Sequence, residues 1–152
     1  MNKTRLISIY TDGGSRGNPG EAALGTYIED ETGNELASIG KTLGIATNNV
    51  AEYSAIIEGL SWVLLNESRM PNLARVNFFM DSNLAASQLN GLFKVKNPGI
   101  RELVFKARQL ESMIKIPVYY KHIPREQNKK ADRLVNMALD NKAIETIETI
   151  AK

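Results

Sequence analysis

Apolar and polar positions alternate between two spacings along this chain. Residues 5–11 (RLISIYT) are rich in β-branched and aromatic side chains and predict a strand. It runs into Asp12 and a glycine-rich loop with one proline, GGSRGNPG. Residues 22–29 (AALGTYIE) predict a second strand, and the turn Glu31-Thr32-Gly33-Asn34 leads to a third over residues 35–44, an antiparallel meander. Thr47-Asn48-Asn49 then offers helix N-caps. Val50, Tyr53, Ile56, Ile57, Leu60, Val63 and Leu64 recur at the 3.6-residue period, which predicts a helix over about 49–66. Met70-Pro71-Asn72 breaks it. Arg75–Met80 reads as a short strand with Val76, Phe78 and Met80 on one face, ended by Asp81. Residues 82–90 read as a short helix closed by Gly91. Pro98 opens another that runs to about Met113, with Ile100, Leu103, Val104, Ala107 and Leu110 on one face. Residues 116–123 (IPVYYKHI) predict a fifth strand, stopped by Pro124. Asn128 is expected to cap a last helix that turns Leu134, Val135, Ala138 and Leu139 inward. In the tail, Ile144, Ile147 and Ile150 recur every three residues, the spacing of a helical stripe for a partner or for self-association, or else of a segment that docks on its own core or frays.

The order βββαβααβα predicts an α/β fold. Three antiparallel strands are followed by two parallel ones in a mixed five-stranded sheet, with helices on both faces. One domain is expected over residues 1–141, followed by a C-terminal tail over 142–152. The length of 152 residues, 43% hydrophobic and 24% charged, fits one globular domain and argues against a coiled coil or a disordered chain. The absence of cysteine excludes disulfides, thiolate zinc sites and cysteine nucleophiles, and a single histidine excludes a multi-histidine metal cage. No apolar run approaches the length of a membrane span, and the N-terminus is too polar for a secretion signal, so a soluble, cytoplasmic protein is expected. The formal net charge of +2 hides an asymmetry. Residues 94–133 sum to +7, whereas residues 1–93 sum to −4 and residues 134–152 to −1. A basic third on an otherwise acidic chain suits a polyanionic partner.

Four acids stand where a charge is costly. Asp12 and Asp81 end strands beside loops, where ligands collect in sheets with crossover helices. Glu52 lies on a largely apolar helix stripe with Ala55, Ile56 and Gly59, so something positive should face it. Asp132 opens the last helix, whose N-terminal dipole favours its charge. Brought together, the four would repel, and divalent cations would relieve the repulsion. Spacing alone leaves the alternatives open: a helix cap for Asp132, solvated strand ends for Asp12 and Asp81, and a surface glutamate at 52.

Four motifs carry a resemblance. Asp12-Gly13-Gly14-Ser15-Arg16-Gly17-Asn18-Pro19-Gly20, Thr47-Asn48-Asn49-Val50-Ala51-Glu52-Tyr53, Phe79-Met80-Asp81-Ser82 and the HIPREQNKKAD segment from His122 to Asp132 resemble, in order, the motifs of type 1 ribonuclease H. The match is to the compact archaeal and bacterial branch, which lacks a basic protrusion, and it covers about residues 5–140. The resemblance implies the ribonuclease H-like fold. It implies a metal-binding set of Asp12, Glu52, Asp81 and Asp132, with Mg²⁺ (or Mn²⁺ in its place) as cofactor, two ions with substrate bound, and no small-molecule cofactor. It further implies cleavage of the RNA strand of an RNA/DNA hybrid to 5′-phosphate and 3′-hydroxyl ends. Gly13, Gly14 and Asn18 in the first motif, and Thr47, Asn48 and Asn49 before the catalytic helix, are the expected substrate contacts. Helix capping is the competing role for Thr47, Asn48 and Asn49. For the step after metal binding, Arg125 is the expected group to hold the scissile or departing phosphate. His122 is the alternative, an imidazole suited to proton transfer, or else a structural histidine.

Some positions depart from the family pattern. Residues 91–97 (GLFKVKN) are short and lack tryptophan, so hybrid grip falls to Lys94, Lys96, Arg101 and the final basic run. Asn83 stands where many relatives carry glutamine. The rival readings are a nuclease that prefers another duplex, double-stranded RNA included, and a catalytically silent hybrid-binding module. A monomer is expected.

Overall fold

The computed structural model describes residues 2–141 and the backbone of residues 146–150. The strands are β1 (Leu6–Arg16), β2 (Gly20–Asp30), β3 (Glu35–Ala46), β4 (Arg75–Met80), β5 (Val118–His122) and β6 (Thr146–Ile150). The helices are α1 (Asn48–Asn66), α2 (Asn83–Leu89), α3 (Pro98–Met113) and α4 (Lys129–Asp140). In the sheet they run β5-β4-β1-β2-β3-β6. β1, β2 and β3 form the expected antiparallel meander, and β4 and β5 add in parallel on the far side of β1. This five-stranded core with its four helices is the ribonuclease H-like fold.

The core follows the apolar pattern. Ile7 and Ile9 of β1, Val76 and Phe78 of β4, and Tyr53, Ile56, Leu60 and Val63 of α1 are buried together on one face of the sheet. α3 packs behind α1, with Ile100 and Ala107 buried. On the other face α4 lies across β1, β2 and β3 and buries Val135, Ala138 and Leu139 against Ala23. Each such aliphatic side chain withdrawn from water contributes about 1.5–3 kcal/mol.

Two expectations need correction. β1 does not end at Asp12. It continues through the glycine-rich segment to Arg16, because Gly13 and Gly14 keep pairing with Leu24 and Ala23 of β2. β2 supplies the backbone partners that local propensity does not foresee, and the turn is confined to Gly17-Asn18-Pro19. The tail is not a helix where it is described. Thr146–Ile150 pairs antiparallel with the outer edge of β3, from Lys41 to Ala37. It adds a sixth strand, and an otherwise open edge finds a partner for its backbone groups. Ile144 lies outside the described residues.

Candidate active site

Asp12 is the centre of the arrangement. The parallel β1–β4 ladder has its last register pair at Thr11 and Met80. Asp12 and Asp81 each come one residue later, on neighbouring strands. Two glycines then let helices close on Asp12 from both faces. A Cβ on Gly13 would stand 2.1 Å from the Ala51 carbonyl carbon and 2.3 Å from the Glu52 nitrogen, so α1 lies directly on the strand there. Gly25 is the β2 partner of Asp12, and a Cβ there would stand 2.3 Å from the Ala131 carbonyl oxygen of α4. The contacts thus fall at Glu52 itself and at the residue before Asp132.

The result is an open hollow of about 270 Å³ lined by all four acids, together with Gly13, Gly14, Ser15, Arg16, Asn48 and Arg125. Burial and the charges of Asp81 and Asp132 push the Asp12 carboxyl up to about 8, against only a partial offset from the Gly13 amide. Burial also raises Glu52. Ser82, which donates a hydrogen bond to it, and the nearby Arg125 guanidinium pull the other way. Arg125 is thus the positive group that the apolar setting of Glu52 calls for. It stands in a single 3-10 turn, Arg125–Gln127, just before α4. Ser82 also caps α2, its oxygen accepting from the Ala85 amide at 3.1 Å. Asp132 is exposed in the first turn of α4, where the helix dipole favours its charge.

The donor set suits a hard cation. It consists of carboxylate oxygens, and burial together with repulsion from Asp81 and Asp132 favours the protonated Asp12 carboxyl, a proton that a positive ion would replace. Among the described residues no group of three or more His, Cys, Asp or Glu encloses a metal-sized point unaided. The acids line an open hollow instead, which fits Mg²⁺, an ion that keeps several waters and takes phosphate oxygens beside one or two carboxylates.

The other sequence-marked residues divide. Asn48 lines the hollow. Its Oδ1 accepts from the Ser15 amide at 2.9 Å and the Ser15 hydroxyl at 3.0 Å, and its own amide donates to Asn18 Oδ1 at 3.1 Å. This knits the β1–β2 turn to the start of α1. Thr47 is the N-cap of α1, its hydroxyl accepting from Val50 at 3.2 Å. Asn49 is exposed beside it. A Cβ on Gly14 would stand at an ordinary contact distance of 3.7 Å from Val135 Cγ1, so α4 leaves more room here than at Gly25. His122 is the exposed last residue of β5, paired in register with Met80, and it is not among the hollow's lining residues.

Asn128 differs from its expected role as a cap. It precedes α4, but its side chain makes no capping bond. It is buried at 1% exposure, and its Nδ2 donates to the Thr11 carbonyl at 2.9 Å and, at 3.5 Å, to Asp81 Oδ2. Its Oδ1 has no partner, which costs about 1–3 kcal/mol. The letter that signals a cap in sequence here serves a tertiary contact, and no local pattern distinguishes the two.

Four acids, from the middle of β1, α1, the end of β4 and the first turn of α4, line one hollow of an α/β domain with the ribonuclease H-like fold. The family model described as reverse transcriptase-like matches residues 10–138. The solved structure of LC11-RNase H1, isolated from compost by a metagenomic approach, is 42% identical, covers 95% of this chain and 100% of that one, and superposes with a TM-score of 0.85. The same protein has been crystallised in complex with an RNA/DNA hybrid, at 40% identity, a TM-score of 0.84, and coverage of 91% of this chain and 99% of that one. Ribonuclease HI of Halobacterium salinarum is 36% identical over 135 residues, 89% of this chain and 65% of that one. The bifunctional protein Rv2228c of Mycobacterium tuberculosis is 38% identical over 135 residues, 88% of this chain and 35% of that one. The chain therefore spans about a third of the length of the Mycobacterium relative and just under two thirds of the Halobacterium one. It belongs to the ribonuclease H type 1 family.

Proposed function

We propose that this chain is a metal-dependent endoribonuclease that hydrolyses the RNA strand of RNA/DNA hybrids, leaving 5′-phosphate and 3′-hydroxyl ends. The observation that carries the reading is the convergence on one open hollow of four carboxylates, from β1, α1, the end of β4 and α4, with burial and the charges of Asp81 and Asp132 pushing Asp12 up to about 8. A relative of the same fold holding an RNA/DNA hybrid supports the substrate class.

Asp12, Glu52, Asp81 and Asp132 would hold the metal. When bound, Mg²⁺ supplies an activated water and neutralises charge at phosphorus. Water adds to the phosphorus, the P–O3′ bond breaks, and the departing 3′ oxygen takes a proton. Arg125 cannot act as a base. Its place in the hollow suits it to bind the scissile phosphate and offset the charge that develops there. Asn48, with its Oδ1 committed to Ser15, keeps its Nδ2 to donate to a base edge or sugar, and Gly14, Asn18, Thr47 and Asn49 complete that rim. A 2′-hydroxyl is what such a rim can use to tell RNA from DNA. No proton is routed through His122, which stands outside the lining.

The test is an end-labelled RNA/DNA hybrid incubated with and without Mg²⁺, beside double-stranded RNA and DNA of the same sequence. The expected result is Mg²⁺-dependent shortening of the hybrid's RNA to 5′-phosphate fragments, with the DNA duplex intact. Absence of a metal-dependent cut would overturn the proposal. Equal cutting of double-stranded RNA would move the substrate class to duplex RNA.

A further inference from the structure

The buried carboxamide of Asn128 is unusual in having both donor hydrogens aimed at the two strands that carry the central acids. One acceptor is the carbonyl of Thr11, the residue before Asp12; the other is the Asp81 carboxylate. The orientation is set by chemistry, because turning the amide over would bring Oδ1 against two oxygens. The main chain of the same residue accepts the Asp132 amide at 3.2 Å, the bond that begins α4. Three of the four acids are therefore referred to one side chain and its peptide. Glu52 is held separately, through α1 and Ser82.

We propose that Asn128 is a positioning residue that sets Asp81, the Asp12 strand and the Asp132 helix relative to one another, so that the acids can share a divalent cation. The inference rests on reading the hollow as a metal-dependent nuclease site. A cap would direct Oδ1 at the first-turn amides of α4. This residue gives up that bond and leaves Oδ1 unpaired in the interior. The amide also carries no charge, so it orients Asp81 without competing with a cation for it, as a lysine or arginine would.

The experiment compares Asn128→Ala and Asn128→Leu with the unsubstituted full chain, at a temperature well below the melting point of each. Two quantities are read: kcat and KM on the hybrid, and Mg²⁺ binding to the protein without nucleic acid, by calorimetry. Loss of an outer partner of a metal ligand weakens affinity or activity by about 10–100-fold. Both variants should bind Mg²⁺ about tenfold more weakly and lose kcat by about the same factor, with KM for the hybrid within about twofold. Asn128→Leu keeps roughly the size, removes the donor and adds no charge, so it carries the test if the alanine variant does not fold. Unchanged Mg²⁺ affinity with only a lowered melting point would make Asn128 a structural residue and overturn the proposal. If the unsubstituted chain cut no hybrid, the nuclease reading would fall, and the calorimetry would still decide the role of Asn128.

Discussion

The folded chain alone does not favour an ionised Asp12, because burial and the charges of Asp81 and Asp132 hold its carboxyl in the protonated form. Its carboxyl titrates near 8 in the fold and near 3.8 outside it. The folded protein therefore holds a proton that the unfolded chain releases, and metal-free stability falls as pH rises from about 4 through 8. Asp12→Asn removes that dependence. Without metal at pH 8 the variant should melt about 5 °C or more above the unsubstituted chain, with little difference near pH 4, as read by thermal unfolding; a difference of this size corresponds to about 2 kcal/mol. Mg²⁺ at pH 8 should stabilise the unsubstituted chain and leave the variant unmoved. Arg125→Ala should lower kcat about a hundredfold or more, the usual size for a lost charge-stabilising donor, and leave Mg²⁺ affinity nearly unchanged, measured by the calorimetry described above. Unaltered kinetics would reduce Arg125 to a surface contact. At this scale the acids were legible through the four motifs that carry them, and Glu52 also by standing on an apolar stripe, whereas Asp132 sits where the helix dipole favours it and spacing alone marks none of the four. Asn128 was not, because a buried tether and a helix cap are written with the same letter.

Among the elements, the closeness of α1 and α4 to Asp12 depends on two positions without side chains. Gly13→Ala puts a methyl 2.1 Å from the backbone of Ala51, where no flexible side chain can give way. The helix must move, at a cost of about 3 kcal/mol, which lowers the melting temperature by about 10 °C. Because the displaced segment carries Glu52, the folded fraction should also lose kcat, as single-turnover cleavage would show. Gly25→Ala should act in the same way from the other face, through Ala131 and Asp132. Element types and order were readable from periodicity, from the meander to α4. Two features were not, and both belong to pairing between distant segments: the extension of β1 through its glycines is supported by β2, and the strand at Thr146–Ile150 is supported by β3. A spacing of isoleucines says nothing of the open edge of β3 that Thr146–Ile150 joins.

Over the whole molecule the charge is divided between a hollow of acids and a basic segment. Lys94, Lys96 and Arg101 stand exposed between α2 and the first turn of α3, with the Arg101 guanidinium donating to the Val95 carbonyl at 2.7 Å. If this segment grips the phosphates, hybrid affinity should fall with salt, log K decreasing linearly with log salt. Lys94→Glu with Lys96→Glu should make that slope shallower and raise KM while kcat holds, by fluorescence anisotropy and steady-state kinetics. The central claim is that four acids from four elements make one metal-dependent hybrid nuclease, and cleavage of a labelled RNA/DNA hybrid across a Mg²⁺ titration, by the unsubstituted chain and Asp12→Asn side by side, tests it most directly. The account predicts saturable Mg²⁺-dependent cutting by the first and, at every Mg²⁺ concentration, at least a thousandfold less by the second (roughly 4 kcal/mol of lost transition-state stabilisation), with both proteins binding the hybrid. Turnover by Asp12→Asn near the unsubstituted rate, or cutting that persists without a divalent ion, would contradict it.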